Sequence, residues 1–315
     1  MFGWILIAAI TIMQAGVFLR ADSARFGRHR IPRRVLIIAG IALWALFVLG
    51  RSYGHEGTGA AARMVEAAGM LWMGTVFLLW VCMLVVEHIT GYGWWLRSRV
   101  PALRGAALVA GGLLALIAIV QGHRTPVVRA YEVVLPGLPA ELDGTVIVGI
   151  SDVHAGSTAD MGRLGTCVDL VMAQRADMVV MLGDMVEGHG TPPPEFTGVL
   201  GRLKAPLGVW GVPGNHERFG RDDAVLAALR DAGVRVLRNE SVEARPGLVL
   251  VGVDDLDRRH APDGTDPLPQ AFAGRPPGAT ILLTHSPLKL EEAAGAGAEL
   301  MLCGHTHGGQ IWPFS

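Results

Sequence analysis

The sequence has few cysteines, and its second half lacks a net positive charge. Its three cysteines, Cys82, Cys167 and Cys303, are too few and too scattered for a disulfide framework or a thiolate zinc site. The first 121 residues contain eleven arginines against four acids, a net charge of +7, so the total of −1 leaves the remainder at −8. A nucleic-acid-binding protein normally has a basic face on its soluble domain. Nucleic acid is therefore not expected as a partner.

The first 121 residues also lack lysine, and they carry charge only between long apolar runs. Four runs are each near the length needed to cross a bilayer, at about 2–19, 35–49, 70–86 and 106–120. No charged residue lies in the centre of a run, and each run is bounded by Arg, Trp or Tyr, which are typical of membrane interfaces. We therefore predict a transmembrane domain of four helices over residues 1–121, surrounded by the lipid bilayer.

The arginines of this domain predict its orientation. The first run has no basic residues before it and further spans follow, so we interpret it as a retained helix rather than a cleaved signal peptide. Two loops are rich in arginine, the first with Arg20, Arg25, Arg28, Arg30, Arg33 and Arg34 and the third with Arg97, Arg99 and Arg104. Because cytoplasmic loops keep positive charge, both termini and the soluble domain are predicted to be extracytoplasmic. Glu87 and His88, at the end of the third run, are expected to meet water at the interface.

The second half changes to short apolar strands separated by helical stretches, which is typical of an α/β domain. We predict this domain at residues 131–315, after a linker at 122–130 that spans at most about 35 Å and so keeps the domain close to the bilayer. Strands are predicted at 131–135, 145–151, 178–182, 208–212, 234–238, 248–253, 280–284 and 299–303, and helices at 159–174, 194–203, 221–232 and 288–294.

Five polar blocks follow these strands. In chain order they are Asp152-Val-His154, Gly183-Asp184, Gly214-Asn215-His216-Glu217, Thr284-His285 and Gly304-His305-Thr-His307. Residues i and i+2 of an extended segment point to the same side, so Asp152 with His154, and His305 with His307, can converge on a metal cluster. Carboxylate, imidazole and amide ligands without thiolate suit Mn, Fe or Zn.

Seven such ligands are too many for one tetrahedral zinc ion and suffice for two ions if one carboxylate bridges them. A pair of metals roughly 3.5 to 4 Å apart can hold a phosphate and lower the pKa of a bridging water. The blocks therefore predict hydrolysis of a phosphoester by attack of a metal-activated hydroxide.

The blocks resemble those of the calcineurin-like metallophosphoesterases, which run D-x-H, G-D, G-N-H-E/D, H and G-H-x-H. The resemblance implies that two divalent ions are held by seven residues: Asp152, His154 and His307 on the first metal, Asn215, His285 and His305 on the second, and Asp184 as the bridge. It also implies that His216 is the general acid that protonates the leaving oxygen. Glu187, three residues after the bridging Asp184, would orient that histidine.

The resemblance extends over essentially the whole soluble half and implies a four-layer fold of two facing β-sheets flanked by helices. The stretch from Leu135 to Pro139, with the strand and Ser-Asp-Val-His that follow, is similar to the membrane-associated bacterial branch, which implies an integral protein of a bacterial inner membrane. Members of the family normally continue with further strands after the G-H-x-H block. The C-terminal strands of the family are therefore expected to be missing from a chain that ends at Ser315.

The favoured hypothesis is a hydrolase acting on a phosphomonoester, phosphodiester or pyrophosphate of a small molecule, lipid head group or cell-envelope precursor. Two alternatives stay open: a metal-binding membrane sensor or scaffold without turnover, and a membrane-tethered nuclease, which the acidic domain makes less attractive. Asp254, Asp255 and Asp257 are expected to form a solvated turn. For His189 and His260, contact with substrate and plain surface exposure are both left open.

Overall fold

The computed structural model describes residues 2–26, 29–54, 60–155, 161–186, 192, 195–219, 222–257 and 265–309. The chain divides into two compact units, Met1–Arg124 and Thr125–Ser315.

The first unit consists of four long helices, α1 (Phe2–Ala21), α2 (Arg33–Leu49), α3 (Ala60–Ile89) and α4 (Val100–Gly122). All four are long and apolar enough to cross a membrane, which confirms the predicted number of spans. Ile10, Val17, Phe47 and Val76 pack in the centre of the bundle, whereas many other apolar side chains, such as Ile41, are exposed. An outward apolar surface is expected where the hydrocarbon core of a bilayer rather than water surrounds a helix.

A charged cluster ties three of these helices together. The Arg104 guanidinium of α4 donates to both carboxylate oxygens of Glu87 in α3, at 2.7 and 2.9 Å, and also to the Ser23 hydroxyl after α1 at 2.7 Å. Arg20 Nε of α1 lies 3.4 Å from the same carboxylate. The expectation that Glu87 meets water is wrong, because its side chain is only 1% exposed. Its neighbour His88 is exposed.

In the second unit, the described residues form two four-stranded sheets. The first has the parallel order β1 (Ile147–Ile150), β2 (Met178–Leu182), β3 (Val209–Val212) and β4 (Arg235–Val236). The second has the order β5 (Glu240–Arg245), β6 (Leu248–Gly252), β7 (Ala279–Leu283) and β8 (Leu300–Leu302). Strand β5 is antiparallel to β6, and the other pairs are parallel. The helices of this unit are α5 (Met161–Ala173), α6 (Glu195–Leu200), α7 (Asn215–Phe219), α8 (Asp222–Asp231), α9 (Pro267–Phe272) and α10 (Leu290–Gly295).

The side chains of β2 show how the layers form. Alternate residues of a strand point to opposite faces. Val180 therefore packs in the core between the two sheets, where it shares a cluster with Leu250 of β6 and Ile281 of β7. Val179 points to the other face and packs with Val168 of α5. Each fully buried aliphatic side chain of this kind contributes about 1.5 to 3 kcal/mol.

Helices α9 and α10 cover the outer face of the second sheet, where Leu268 and Ala293 pack against Val249 and Val251 of β6. The result is a helix, sheet, sheet, helix sandwich, as the sequence predicts. One local prediction is wrong, and one strand was missed. The strand expected at 131–135 is absent, since Tyr131 is exposed and no strand of the described residues pairs with this segment. The edge strand β5 was not predicted.

Candidate metal centre

The five polar blocks lie just after the carboxyl ends of parallel strands, where α/β sheets commonly hold their ligands. The blocks follow different strands: Asp152 and His154 come after β1, Asp184 after β2, Asn215 and His216 at the start of α7 after β3, His285 after β7, and His305 and His307 after β8. All seven predicted ligands belong to the described residues, and the fold brings their side chains together.

The backbone of this region is held in an uncommon conformation. Asp152, His154, Asp184, His305 and His307 all have φ between 49 and 70°. For a residue with a side chain, this left-handed conformation costs of order 1 to 3 kcal/mol and persists only where the surrounding structure enforces it. Five of the seven predicted ligands are therefore aimed by strained turns.

Two glycines allow the loops after β2 and β3 to touch. Gly183 has φ of +82°, and a Cβ atom placed there would lie 2.6 Å from the Gly214 Cα atom. A Cβ atom at Gly214 would overlap the Asp184 side chain. Only residues without a side chain permit this approach, which brings Asp184 against the block that contains Asn215 and His216.

The first group of converging atoms comes from Asp152, His154 and His307. His154 Nε2 lies 3.3 Å from His307 Nε2, and His307 Nε2 lies 3.3 Å from Asp152 Oδ1. One ligand atom of each residue lies within 4.8 Å of the others, as in a group that holds a metal ion. These are the three residues predicted for the first metal.

The second group comes from Asp184, His285 and His305, with Asn215 beside them. His285 Nε2 lies 3.2 Å from Asp184 Oδ2, 3.0 Å from Asn215 Oδ1 and 3.1 Å from His305 Nδ1. Its other nitrogen, Nδ1, lies 2.8 Å from the Leu182 carbonyl oxygen. When Nδ1 donates to this carbonyl, Nε2 of the neutral ring is left as a metal ligand, a common way of orienting such histidines.

Asp184 lies between the two groups. Its Oδ2 atom is 3.2 Å from His285 Nε2 on one side and 3.8 Å from His154 Nε2 on the other. His216 Nε2 is 3.9 Å from the same oxygen, and the His216 backbone N–H donates to Asp184 Oδ1 at 2.9 Å. This is the position that a carboxylate shared by two cations requires.

The electrostatics of the cluster favour positive charge. Burial by itself would raise the pKa of Asp152, but hydrogen bonds from His307 and Ser151 outweigh it and lower that pKa to about 2. Burial likewise opposes the charge of His285, yet its contacts with Asp184 raise the pKa of the imidazole to about 9. Contact with Asp152 raises the pKa of His307 in the same way. The carboxylates are therefore stabilised as anions by the histidines. Metal binding would replace the protons that these histidines carry.

The donor set fits two divalent cations. Carboxylate, imidazole and amide oxygen atoms converge on two adjoining places, and no cysteine belongs to the groups found among the described residues. Imidazole suits Zn and Fe, and carboxylate oxygen suits Mn, so these residues match that range of ions.

Glu217, for which the sequence predicts no role, is held by several backbone hydrogen bonds. It is only 2% exposed, and four backbone N–H groups donate to it: those of Asp184, Met185, Val186 and Gly214. Burial raises the pKa of Glu217, and the charge of Asp184 adds to this, against the effect of the N–H donors. A local signal was present, because an acid at the third position of a helix commonly bonds the backbone N–H before the helix.

The remaining expectations have different outcomes. Glu187, His189 and His260 lie outside the described residues. The expectation that Asp254 and Asp255 form a solvated turn is wrong, because both are buried. The Arg238 guanidinium donates to both oxygens of Asp254 at 2.8 Å, which explains how that carboxylate is accommodated.

Adjoining groups of carboxylate and imidazole side chains that could hold metal ions, at the strand ends of an α/β sandwich, match the class of dinuclear metal-dependent hydrolases. The sequence profile of the family described as "Calcineurin-like phosphoesterase" matches residues 145–309, which include all seven predicted ligands. The chain belongs to this family, whose members act on phosphoric esters.

Relatives of the chain occur in animals and bacteria. A cow protein named "Transmembrane protein with metallophosphoesterase domain" is 32% identical over 70% of this chain and 53% of its own length. An uncharacterised metallophosphoesterase of Helicobacter pylori is 32% identical over 62% of this chain and 52% of its own length. An uncharacterised metallophosphoesterase of Bacillus subtilis is 29% identical over 69% of this chain and 76% of its own length. The chain thus spans about half the length of the first two proteins.

Proposed function

We propose that this protein is a membrane-anchored enzyme that hydrolyses a phosphomonoester, phosphodiester or pyrophosphate with two divalent metal ions. One observation carries the proposal: side chains from the five separate blocks form adjoining groups of converging ligand atoms, and Asp184 Oδ2 lies 3.8 Å from His154 Nε2 of the first group and 3.2 Å from His285 Nε2 of the second. Membership of the phosphoesterase family supports the same reaction class.

The proposed ligands follow the two groups. Asp152, His154 and His307 hold the first ion and Asn215, His285 and His305 the second, while Asp184 bridges them. Mn, Fe and Zn all suit these ligands. When bound, the two ions supply positive charge that polarises the phosphoryl oxygens and makes water a stronger nucleophile.

His216 is proposed as the general acid. Its ring contacts that of His154, with 4.9 Å between the ring centroids, and it remains partly exposed toward solvent. An accessible group beside the ions can donate a proton to the leaving oxygen. The hydrogen bond from the His216 backbone N–H to the Asp184 carboxylate fixes its position relative to the proposed bridging residue. Glu187 is proposed to orient this histidine, as the family resemblance implies.

The membrane unit is proposed to hold the catalytic domain near its substrate. A short predicted linker raises the effective concentration of bilayer components around the site, so a lipid head group or cell-envelope precursor is the proposed substrate class. The arginine-rich first and third loops support a cytoplasmic position for those loops. The proposed location is accordingly a bacterial inner membrane with an extracytoplasmic catalytic domain.

The test uses the full chain purified in detergent and loaded with Mn²⁺. We expect cleavage of p-nitrophenyl phosphate or bis-p-nitrophenyl phosphate, with loss of that cleavage in the Asp184→Ala and His216→Ala variants. His123→Ala is the matched control for His216→Ala, because His123 is an exposed histidine at the end of α4. Its activity should equal that of the wild type.

Two outcomes would contradict the proposal. Equal rates in the wild type and in both site variants would show that the hydrolysis comes from a contaminant. Binding of Mn²⁺ that raises the unfolding temperature without cleavage of phosphorylated lipids, nucleotides or aryl esters would favour a sensor or scaffold.

A further inference from the structure

Glu217 connects two of the polar blocks through the backbone. Its Oε2 atom accepts N–H bonds from Asp184 at 2.8 Å and from Gly214 at 2.7 Å. Its Oε1 atom accepts bonds from Met185 at 2.7 Å and from Val186 at 3.2 Å. The loop after β2 and the turn before α7 are thus held by one buried side chain.

The bonded residues are the ones that need support. Asp184 has a left-handed backbone with φ of 52°, and the turn that contains it leaves N–H groups without partners in the sheet. Buried N–H groups must be bonded, and the Glu217 carboxylate satisfies three consecutive ones, from Asp184 to Val186. In return, the His216 N–H, next to Glu217 in the chain, donates to Asp184 Oδ1.

We propose that Glu217 is the positioning residue of the centre, which holds the bridging carboxylate of Asp184 and the imidazole of His216 in one rigid backbone unit. The inference rests on the proposed function, in which Asp184 bridges two ions. Glu217 reaches neither ligand atoms nor substrate in this role. It acts through the conformation of the two loops.

The four bonds make the carboxylate difficult to replace. Each oxygen accepts two N–H groups, so the side chain serves only as an acceptor. A glutamine has the same shape, but its amide nitrogen is a donor and would face two backbone donors in either orientation. Glu217→Gln therefore loses two of the four bonds with almost no change in volume, whereas Glu217→Asp keeps the charge and shortens the reach.

The experiment measures the metal centre directly. Full-length wild type, Glu217→Gln and Glu217→Asp are loaded with Mn²⁺ and examined by elemental analysis and by electron paramagnetic resonance, in which two carboxylate-bridged Mn²⁺ ions give an exchange-coupled signal. We expect Glu217→Gln to lose the coupled signal and to bind Mn²⁺ about 10- to 100-fold more weakly, as changes to groups behind metal ligands do. Glu217→Asp should recover part of the signal.

Asp177→Asn is the matched control. Asp177 Oδ2 also accepts a backbone N–H, that of Val146 at 2.9 Å, but it precedes β2 and so lies at the opposite ends of the strands. This variant should keep two coupled ions. A coupled signal and Mn²⁺ affinity in Glu217→Gln equal to those of the wild type would overturn the inference. A wild type that binds no pair of ions would instead overturn the proposed function.

A variant that does not fold is covered by a second measurement on the wild type. Hydrogen exchange of the metal-free full chain should show slow exchange in peptides that contain the amides of 184–186, although these residues belong to no strand or helix. Fast exchange there, as in an open loop, would overturn the inference as well.

Discussion

Both units bury acidic side chains, but they surround them differently. In the membrane unit, Glu87 accepts two N–H bonds from Arg104 at 2.7 and 2.9 Å. In the soluble unit, Asp184 Oδ2 faces imidazole nitrogens at 3.2 to 3.9 Å, distances mostly beyond those of good hydrogen bonds. Both oxygens of the Glu87 carboxylate accept bonds from Arg104. The Asp184 carboxylate instead converges with imidazole nitrogens at the spacing of metal ligands.

This difference shows that burial of a charge alone does not identify a functional site. An ionisable residue within a membrane span is a functional hypothesis by default, yet Glu87 is fully accounted for by the pairing of three helices. Asp184 differs because its carboxylate and several imidazoles bring their ligand atoms close together, and because a strained backbone orients these side chains. Variants of these carboxylates and of their partners test this distinction.

Asp184→Ala should have the largest effect. Removing the shared carboxylate leaves both cation groups incomplete, so we expect activity to fall at least ~10⁴-fold, equivalent to about 5.5 kcal/mol in the barrier. Elemental analysis should show the loss of at least one ion per chain. Glu87→Gln is the comparison variant, and it should keep both ions. If Asp184→Ala retained two ions and near-normal kcat/KM, the distinction between the two carboxylates would be wrong.

Arg104→Ala should destabilise the membrane unit without changing the metal centre. Breaking a buried ion pair costs about 3 to 5 kcal/mol, and the lower value is expected here because Arg20 Nε remains 3.4 Å from Glu87. The measurement is the free energy of unfolding in mixed detergent micelles. The double change Glu87→Leu with Arg104→Leu should recover part of the loss, since it removes the unpaired carboxylate and leaves only Arg20, which is partly exposed and also donates to the Gly16 carbonyl oxygen. A shift in metal content would contradict the prediction.

Removal of metal should affect only the soluble unit. An ion at 100 times its dissociation constant stabilises the folded state by about 2.7 kcal/mol, so a chelator should lower the stability of that unit by about this amount for each ion removed. Hydrogen exchange should accelerate in the loops after β1, β2, β3, β7 and β8 and stay unchanged in α1 to α4. Equal acceleration in the helices would show that the two units do not respond separately.

The sequence was sufficient for features with strong local patterns. Long apolar runs predicted four helices, and the blocks predicted seven side chains that lie together in the structure. It was insufficient where the outcome depends on a distant partner. The predicted strand at 131–135 has suitable residues but no neighbouring strand among the described residues, while β5, with Glu240 and Glu243, looks too polar for a strand and is an edge strand paired with β6.

The unpredicted polar contacts have the same explanation. Glu217 bonds one N–H three residues before it, which a helix-start pattern predicts, and three others 31 to 33 residues away, which no local pattern can show. Glu87 and Arg104 are 17 residues apart on different helices. Asp254 looked like a surface acid because its partner Arg238 precedes it by 16 residues.

Arg238→Ala should have the smallest effect of these variants. It tests, within the soluble unit alone, whether a carboxylate paired with arginine differs from one in the metal centre. Arg238 bonds both oxygens of Asp254, as Arg104 bonds both oxygens of Glu87, although Asp254 follows β6, which pairs with the strand β7 that precedes His285. Arg238 is partly exposed, so water can replace some of its contacts, and we expect a loss of about 1 to 2 kcal/mol in the free energy of unfolding. Arg235→Ala, which removes only a contact with the Trp210 ring at 5.1 Å, is the matched control and should lose less. Both variants should keep two coupled Mn²⁺ ions, because Asp254 belongs to none of the groups of converging ligand atoms found among the described residues. Loss of an ion in Arg238→Ala alone would place Asp254 in the metal centre and remove pairing with arginine as the criterion that separates structural from functional carboxylates.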